Sequence, residues 1–150
     1  MQGRELPETS WIAALSSDMA REARAADRFV QLALQTGSRH CRPIRSQIAL
    51  CAATALANAT ALAAEVNALG GIPNPITPGE RPDEDLLAQA RVEVNHYQRR
   101  WADASRHGLL RLQELFRAIV LTKRAHLAHT EWISAIASRS EYQKVRESIR

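Results

Sequence analysis

The chain has 150 residues, of which 45% are hydrophobic and 24% are charged, enough for one soluble globular domain with a sizeable core. The formal net charge is +4, but sixteen acidic residues offset twenty basic ones, so we do not expect specific nucleic-acid binding. We also expect no membrane span, because polar residues such as Asn58 and Glu65 interrupt the Ala-rich run over 48–66. The amino terminus does not resemble a secretory signal, which predicts a cytoplasmic protein whose Cys41 and Cys51 stay reduced.

Two loop-forming stretches divide a sequence that is otherwise rich in helix-forming residues. They are TGSRHCRP (36–43) and GGIPNPITPGERP (70–82), and Gly108 marks a weaker third break. These breaks predict four helices over 10–35, 43–69, 83–107 and 109–138, and a short polar tail helix can follow from Ser140. The prediction is therefore an all-α fold in a single domain, with a bundle over about 10–138 and a polar tail over 139–150.

Each predicted helix carries one apolar stripe at alternating steps of three and four residues, the spacing of a helix-bundle seam. A four-helix bundle is the simplest way to bury four such stripes. The first connection is short, so the first two helices are predicted to be antiparallel neighbours. The second connection is Pro-rich and spans about 40 Å when extended, about the length of a 26-residue helix. The second and third helices are therefore predicted to run parallel, joined by a long crossover.

Polar residues interrupt the predicted stripes at matching heights. They are Glu22 in the first helix, Asn58 in the second, Glu93 in the third, and His126 and His129 in the fourth. A carboxylate buried without a partner costs several kcal/mol, so the two acids must share a proton, pair with an imidazolium or bind a cation. The pattern predicts that these five residues meet inside the bundle.

Two interpretations of this cluster stay open. In the first, Glu22, Glu93, His126 and His129 hold a metal, because carboxylates and neutral imidazoles are ordinary ligands for iron, zinc or manganese. Asn58 and His96 are weaker candidate ligands in that site. In the second, the same residues form a hydrogen-bonded or salt-bridged polar core without a metal.

The segments NALGGIPNP (67–75) and HTEWI (129–133) resemble two parts of the bacterioferritins. The first is similar to the end of their second helix, where a Leu-Gly-Gly-x-Pro-Asn turn opens the long loop. HTEWI (129–133) is similar to their fourth helix, in which the last metal-binding His is followed three residues later by Trp. The spacing aligns almost without gaps over 19–136. The resemblance implies a ferritin-like bundle that forms isologous dimers, often 24-subunit cages, and oxidises ferrous iron at a dinuclear centre for storage.

The resemblance also assigns ligands by position. Glu22 matches the first-helix ligand, Glu93 the bridging Glu of the third helix, and His129 the fourth-helix His. The second helix departs from the family pattern, because Ala55 and Asn58 stand where it has Glu-x-x-His. These losses imply a single iron or other divalent metal rather than a two-iron centre, with ferroxidase activity weakened or absent.

The resemblance also makes predictions about haem binding and about assembly. His126 stands where the family has a Glu, and Leu56 where the haem-binding members have Met, so we expect no haem. The tail SRSEYQKVRESIR (138–150) is more polar than a helix that plugs a cage axis, which leaves dimer and cage both open.

Two functions follow from the sequence. The first is a bacterioferritin-like metal-binding protein for iron storage or handling, with a modified interior site. The alternative is a non-catalytic structural subunit with a metal-free polar core. In either case we expect a homo-oligomer, or a hetero-oligomer with an active ferritin-like subunit, and we leave open whether the protein is an enzyme.

Overall fold

The computed structural model describes residues 8–35, 42–73 and 86–148, which form four helices and no strand. Helix α1 spans Glu8–Gln35, α2 spans Arg42–Ala68, α3 spans Leu86–Arg106 and α4 spans Leu110–Ser148. The predicted all-α, four-helix fold is confirmed. The predicted crossover over 70–82 lies outside the described residues from position 74 onward, as do Cys41 and the predicted start of the third helix over 83–85.

The fourth helix is longer than the sequence analysis predicts. It continues without a break through Ser148, instead of ending near 138 before a separate tail helix. The physical reason is that the segment over 138–148 contains neither Gly nor Pro, so nothing in it ends the helix.

Helix α1 packs along α2, α3 packs along α4, and α2 also contacts α4. Side-chain pairs give the directions, because Cys51 of α2 lies near His129 of α4 while Glu65 of α2 pairs with Arg111 of α4. These pairs make α2 and α4 antiparallel. A short turn over 107–109 makes α3 and α4 antiparallel as well. Helices α2 and α3 therefore run in the same direction, as the sequence analysis expects.

Glycines end two of the helices. The Gly70 N–H donates to Asn67 O and the Gly71 N–H donates to Val66 O, at 3.0 and 2.9 Å, which is the hydrogen-bond pattern of a Schellman cap. Gly70 has a φ of 80° and Gly108, which closes α3 in the same way, has a φ of 68°. This left-handed conformation favours glycine, which has no Cβ to clash there.

The apolar core has two clusters, one toward each end of the bundle. The larger lies where α1 begins and α2 ends, and it includes Leu15, Leu62, Val66, Tyr97 and Phe116. The smaller lies where α1 ends and α2 begins, and it includes Phe29, Ile48, Cys51 and Ala52. Polar side chains occupy the space between the two clusters.

Helix α2 differs from the expectation that no segment is apolar enough to cross a membrane. Among the described helices, it alone meets the length and composition of a membrane span. Its inward face nevertheless packs in the bundle, where Leu62 and Val66 are fully buried.

The close approach of the α2 cap to α1 gives a first prediction. A Cβ added at Gly71 would lie 2.7 Å from Ile12 Cγ2 and 3.0 Å from Val66 Cγ1. Both side chains are branched at Cβ; Val66 is fully buried and Ile12 is partly buried. We expect Gly71→Ala to lower the free energy of unfolding by about 1–3 kcal/mol, measured by urea denaturation.

Gly70→Asn is the matched control in the same turn. A Cβ added at Gly70 meets nothing within 4 Å, and Asn tolerates the left-handed conformation better than most residues. A loss of stability at Gly70→Asn as large as that at Gly71→Ala would contradict the steric explanation.

Candidate functional site

A layer of polar side chains from all four helices separates the two apolar clusters. It consists of Glu22, Asn58, Glu93, Lys123 and His126, each at most 8% exposed, and we call it the polar layer. Four of these residues were predicted to meet inside the bundle. The fifth, Lys123, was not.

Lys123 provides the central cation of the polar layer. Its Nζ lies 2.8 Å from Glu22 Oε2 and 3.9 Å from Glu93 Oε2, and the side chain is only 2% exposed. The same Nζ lies 5.8 Å from the centroid of the Tyr97 ring, within range of a cation–π attraction. Arg21 Nη1 donates to Glu93 Oε1 at 3.0 Å. Two carboxylates are therefore balanced by two cations.

Neutral polar groups fix the positions of both carboxylates. The Asn58 amide donates from Nδ2 to Glu22 Oε2 at 3.2 Å and to Thr122 Oγ1 at 2.9 Å. Gln89 Nε2 donates to Glu93 Oε1 at 3.1 Å. Asn58, predicted as a weak metal ligand, thus uses its N–H groups as donors inside the protein.

His126 is neutral and has one ring nitrogen without a partner. Its Nε2 lies 2.9 Å from Thr54 Oγ1, and that hydroxyl donates to Leu50 O at 2.6 Å, so the proton of the bond between Thr54 and His126 comes from Nε2. Nδ1 then carries a lone pair, and it has no hydrogen-bond partner among the described residues. Burial, followed by the charges of Lys123 and His129, lowers the pKa of His126 from 6.5 to about 3.

His129 is only half-buried and faces a different neighbour. Its Nδ1 lies 3.4 Å from Cys51 Sγ. Burial raises the pKa of the Cys51 thiol to about 11, so the thiol keeps its proton and donates weakly to the imidazole. This pair lies beside the polar layer and is not part of it.

The polar layer as arranged does not fit a metal. Glu22, Glu93 and His126 share one layer, but the Lys123 ammonium lies between the two carboxylates. Across residues 8–35, 42–73 and 86–148, no group of three His, Cys, Asp or Glu side chains is placed to hold a metal ion.

A second buried acid links α1 to α3. Asp18 is fully buried and accepts hydrogen bonds from His96 Nε2 at 2.7 Å and from Arg100 Nε at 2.8 Å. His96, predicted as a weak candidate ligand, is therefore held by Asp18. Arg100 is held by the same acid, because its Nη2 also donates to Asp18 Oδ1 at 3.2 Å. We call these three residues the Asp18 cluster.

Tyr97 lies between the Asp18 cluster and the polar layer and stays protonated. Its hydroxyl donates to the backbone carbonyl of Asp18 at 3.4 Å. Burial raises the pKa of Tyr97 far above its ordinary value, and the negative charges of Glu22 and Asp18 raise it further.

A larger cavity of about 500 Å³ lies at the end of the bundle where α2 ends and α4 begins. Trp11, Leu69 and Leu112 are among the residues that line it. Its charged pair is satisfied internally, because Arg111 Nη2 donates to Glu65 Oε1 at 2.8 Å. We assign no ligand to this cavity.

Sequence reasoning missed Lys123 and Asp18. Lys123 precedes His126 by three residues, so both side chains lie on one face of α4. Asp18 precedes Glu22 by four residues on α1 and lies on one face with it. The helical spacing was therefore an available signal for both residues.

Comparison with protein families, with curated proteins and with solved structures finds no match to this chain. The bacterioferritin resemblance therefore stays a prediction. Function is inferred from the polar layer and its surroundings.

The Asp18 cluster gives the second prediction. Asp18→Asn removes the negative charge that compensates Arg100, and breaking a buried ion pair on one side leaves the other side uncompensated. We expect a loss of about 3 kcal/mol in the free energy of unfolding, measured by urea denaturation.

Asp103→Asn is the control, because Asp103 pairs with Arg106 on the exposed surface of α3. Exposed pairs contribute about 0–1 kcal/mol, so this variant should be close to wild type. Equal losses in the free energy of unfolding of the two variants would show that the Asp18 cluster contributes no more to stability than an exposed ion pair.

The lowered pKa of His126 gives the third prediction. Below pH 6.5 the unfolded chain protonates this imidazole and the folded protein does not, so the free energy of unfolding falls as the pH is lowered toward about 3. The slope approaches about 1.4 kcal/mol per pH unit for this one proton. We expect His126→Gln to remove that slope in urea denaturation between about pH 7 and pH 5, where carboxylates contribute little.

His107→Gln is the control, since His107 lies at the turn between α3 and α4, away from the polar layer. This variant should keep the wild-type slope. An unchanged slope in His126→Gln would mean that the buried imidazole does not titrate as inferred.

Proposed function

We propose that this chain is a non-catalytic structural subunit with a ferritin-like helix arrangement, whose polar layer is compensated by lysine and arginine instead of a metal. The subunit assembles with copies of itself. The observation that carries the proposal is the Lys123 ammonium, 2.8 Å from Glu22 Oε2 and almost fully buried.

Electrostatics support a metal-free interior. A metal bound by Glu22 and Glu93 would lie close to the Lys123 ammonium, because that ammonium already lies between the two carboxylates. Two like unit charges about 4 Å apart repel by about 4 kcal/mol at an effective dielectric constant of about 20, and a divalent ion doubles this. The carboxylates are already neutralised, so a metal gains little attraction in return.

The size of the interior space supports a non-catalytic role. The cavity that reaches Glu93, Lys123 and His126 has a volume of about 20 Å³. Small-molecule sites are usually about 300–1,000 Å³ in volume. A substrate therefore has no room beside the polar layer in this conformation.

The outward face of α2 supports self-assembly. No charged residue occurs over 46–64, and Leu50 and Leu56 on this helix are each more than half exposed. Apolar surface of this kind favours burial against another protein, and most soluble oligomers are made from identical copies.

Metal binding for iron handling is the second candidate function. The observation that favours it is a pair of buried atoms with lone pairs, Glu93 Oε2 and His126 Nδ1, which have no hydrogen-bond partner among the described residues. A metal using them must push Lys123 away from Glu93 or force it to lose its proton. The two candidate functions therefore differ in the state of Lys123. In the structural subunit it stays charged beside both carboxylates, and in the metal-binding protein it moves away or loses its proton.

Removal of the ammonium gives the fourth prediction. In equilibrium dialysis against Fe²⁺ under anaerobic conditions, and against Zn²⁺, the wild-type protein should bind well below one metal ion per chain. Lys123→Ala frees both carboxylates and the His126 lone pair, so it should gain saturable binding. Adding Glu22→Gln to that variant should weaken the binding again.

Arg124→Ala is the control for the loss of one positive charge, since Arg124 is the exposed neighbour of Lys123 on α4. It should bind no more metal than wild type. Stoichiometric, saturable binding by the wild-type protein that Glu93→Gln abolishes would reject the structural proposal in favour of iron handling.

Light scattering on the same wild-type sample tests self-assembly, and a monomer at all concentrations would contradict it.

A further inference from the structure

A small cavity between α1 and α3 reaches the polar layer from outside. Ala25 and Phe29 of α1 form one wall and Ala90 of α3 forms the other. The polar residues that line it are Arg28, Gln89, Glu93, Lys123 and His126, and its volume is about 20 Å³. One water molecule needs about 10–15 Å³ by this measure, so the cavity holds one water and nothing much larger.

Two of the polar residues that line this cavity have a buried acceptor without a partner. Glu93 Oε2 and His126 Nδ1 accept no hydrogen bond from the described residues, and each residue is only 4% exposed. Leaving such a group unsatisfied costs about 1–3 kcal/mol, and more when the group is charged. Two such atoms lining one small cavity indicate that a donor molecule binds there.

Lys123, which also lines the cavity, supplies a donor. The Lys123 ammonium has three N–H bonds, of which one points to Glu22 Oε2 at 2.8 Å. Glu93 Oε2, at 3.9 Å, is too far away for a direct hydrogen bond. A polar contact longer than about 3.5 Å leaves a water molecule as the group that can connect the two side chains.

We propose that the cavity is a binding site for a single water molecule, which accepts a hydrogen bond from Lys123 Nζ and donates to Glu93 Oε2 and His126 Nδ1. Three partners are the usual number for a buried water. Charge favours water over a cation, because Lys123 and Arg21 already balance Glu22 and Glu93. This inference rests on the proposed metal-free interior.

The experiment uses water ¹⁷O magnetic relaxation dispersion, which counts long-lived buried waters in the intact protein. Ala90→Val fills the cavity and Ala88→Val adds the same two methyl groups at an exposed position of α3. We expect Ala90→Val to lose the amplitude of about one water relative to wild type. Ala88→Val should lose none.

The outcomes separate this inference from the proposed function. A folded Ala90→Val variant with unchanged dispersion amplitude overturns the water site. If that variant does not fold, a high-resolution crystal structure of the wild-type protein decides, and a cavity without water density overturns the inference. Metal analysis of the same wild-type sample is the second readout. A cavity occupied by a stoichiometric metal overturns both the inference and the proposed function, whereas a dry, metal-free cavity overturns the water site alone.

Discussion

The attraction between the Lys123 ammonium and the carboxylates of Glu22 and Glu93 is the interaction on which the interior of this bundle depends. The two acids come from α1 and α3, whose backbones do not pack closely, since the close helix pairs among the described residues are α1 with α2, α3 with α4 and α2 with α4. Without a cation between them, two buried carboxylates would repel and drive α1 away from α3. Lys123 reaches from α4 to both acids and reverses that repulsion.

The polar layer specifies how the α1–α2 pair fits against the α3–α4 pair more than it raises the stability of the bundle. A buried ion pair recovers in Coulomb attraction roughly what it loses in desolvation, so apolar side chains of the same volume would often be as stable. Apolar seams, however, tolerate a shift of one helix turn along a partner, because one leucine packs much like another. A shift of α1 against α4 would leave Glu22 and Lys123 both buried and unpaired, at a cost of several kcal/mol. The Asp18 cluster adds the same constraint between α1 and α3.

The sequence predicts the stripe of α2 well and the stripe of α4 less well, for a physical reason. A buried stripe on a helix advances by three or four residues at a time. After Ile119, the next buried position on α4 can therefore be Thr122 or Lys123. Judged from α4 alone, burying Thr122 costs less free energy than burying Lys123, because lysine is almost never buried without a partner. The buried stripe instead runs through Phe116, Ile119, Lys123, His126 and Thr130, which leaves His129 half-buried. The partners that compensate the buried charge of Lys123 are Glu22 on α1 and Glu93 on α3. They lie far away in sequence, so the periodicity of α4 carries no information about them.

The charges of the polar layer differ from those of the bacterioferritin pattern that the sequence resembles. The bacterioferritin pattern implies four glutamates, one from each helix, which together require two divalent ions. Here Ala55 and His126 stand at two of those positions, both residues are buried and neither carries a charge, so two carboxylates remain. Lys123 and Arg21 supply the two positive charges that these carboxylates need. Compared with that pattern, the polar layer has two fewer acids and one buried lysine, and its charge balance depends on both differences. Without Lys123, Glu22 would have no cation beside it among the described residues. Four acids beside Lys123 and Arg21 would leave the layer negatively charged.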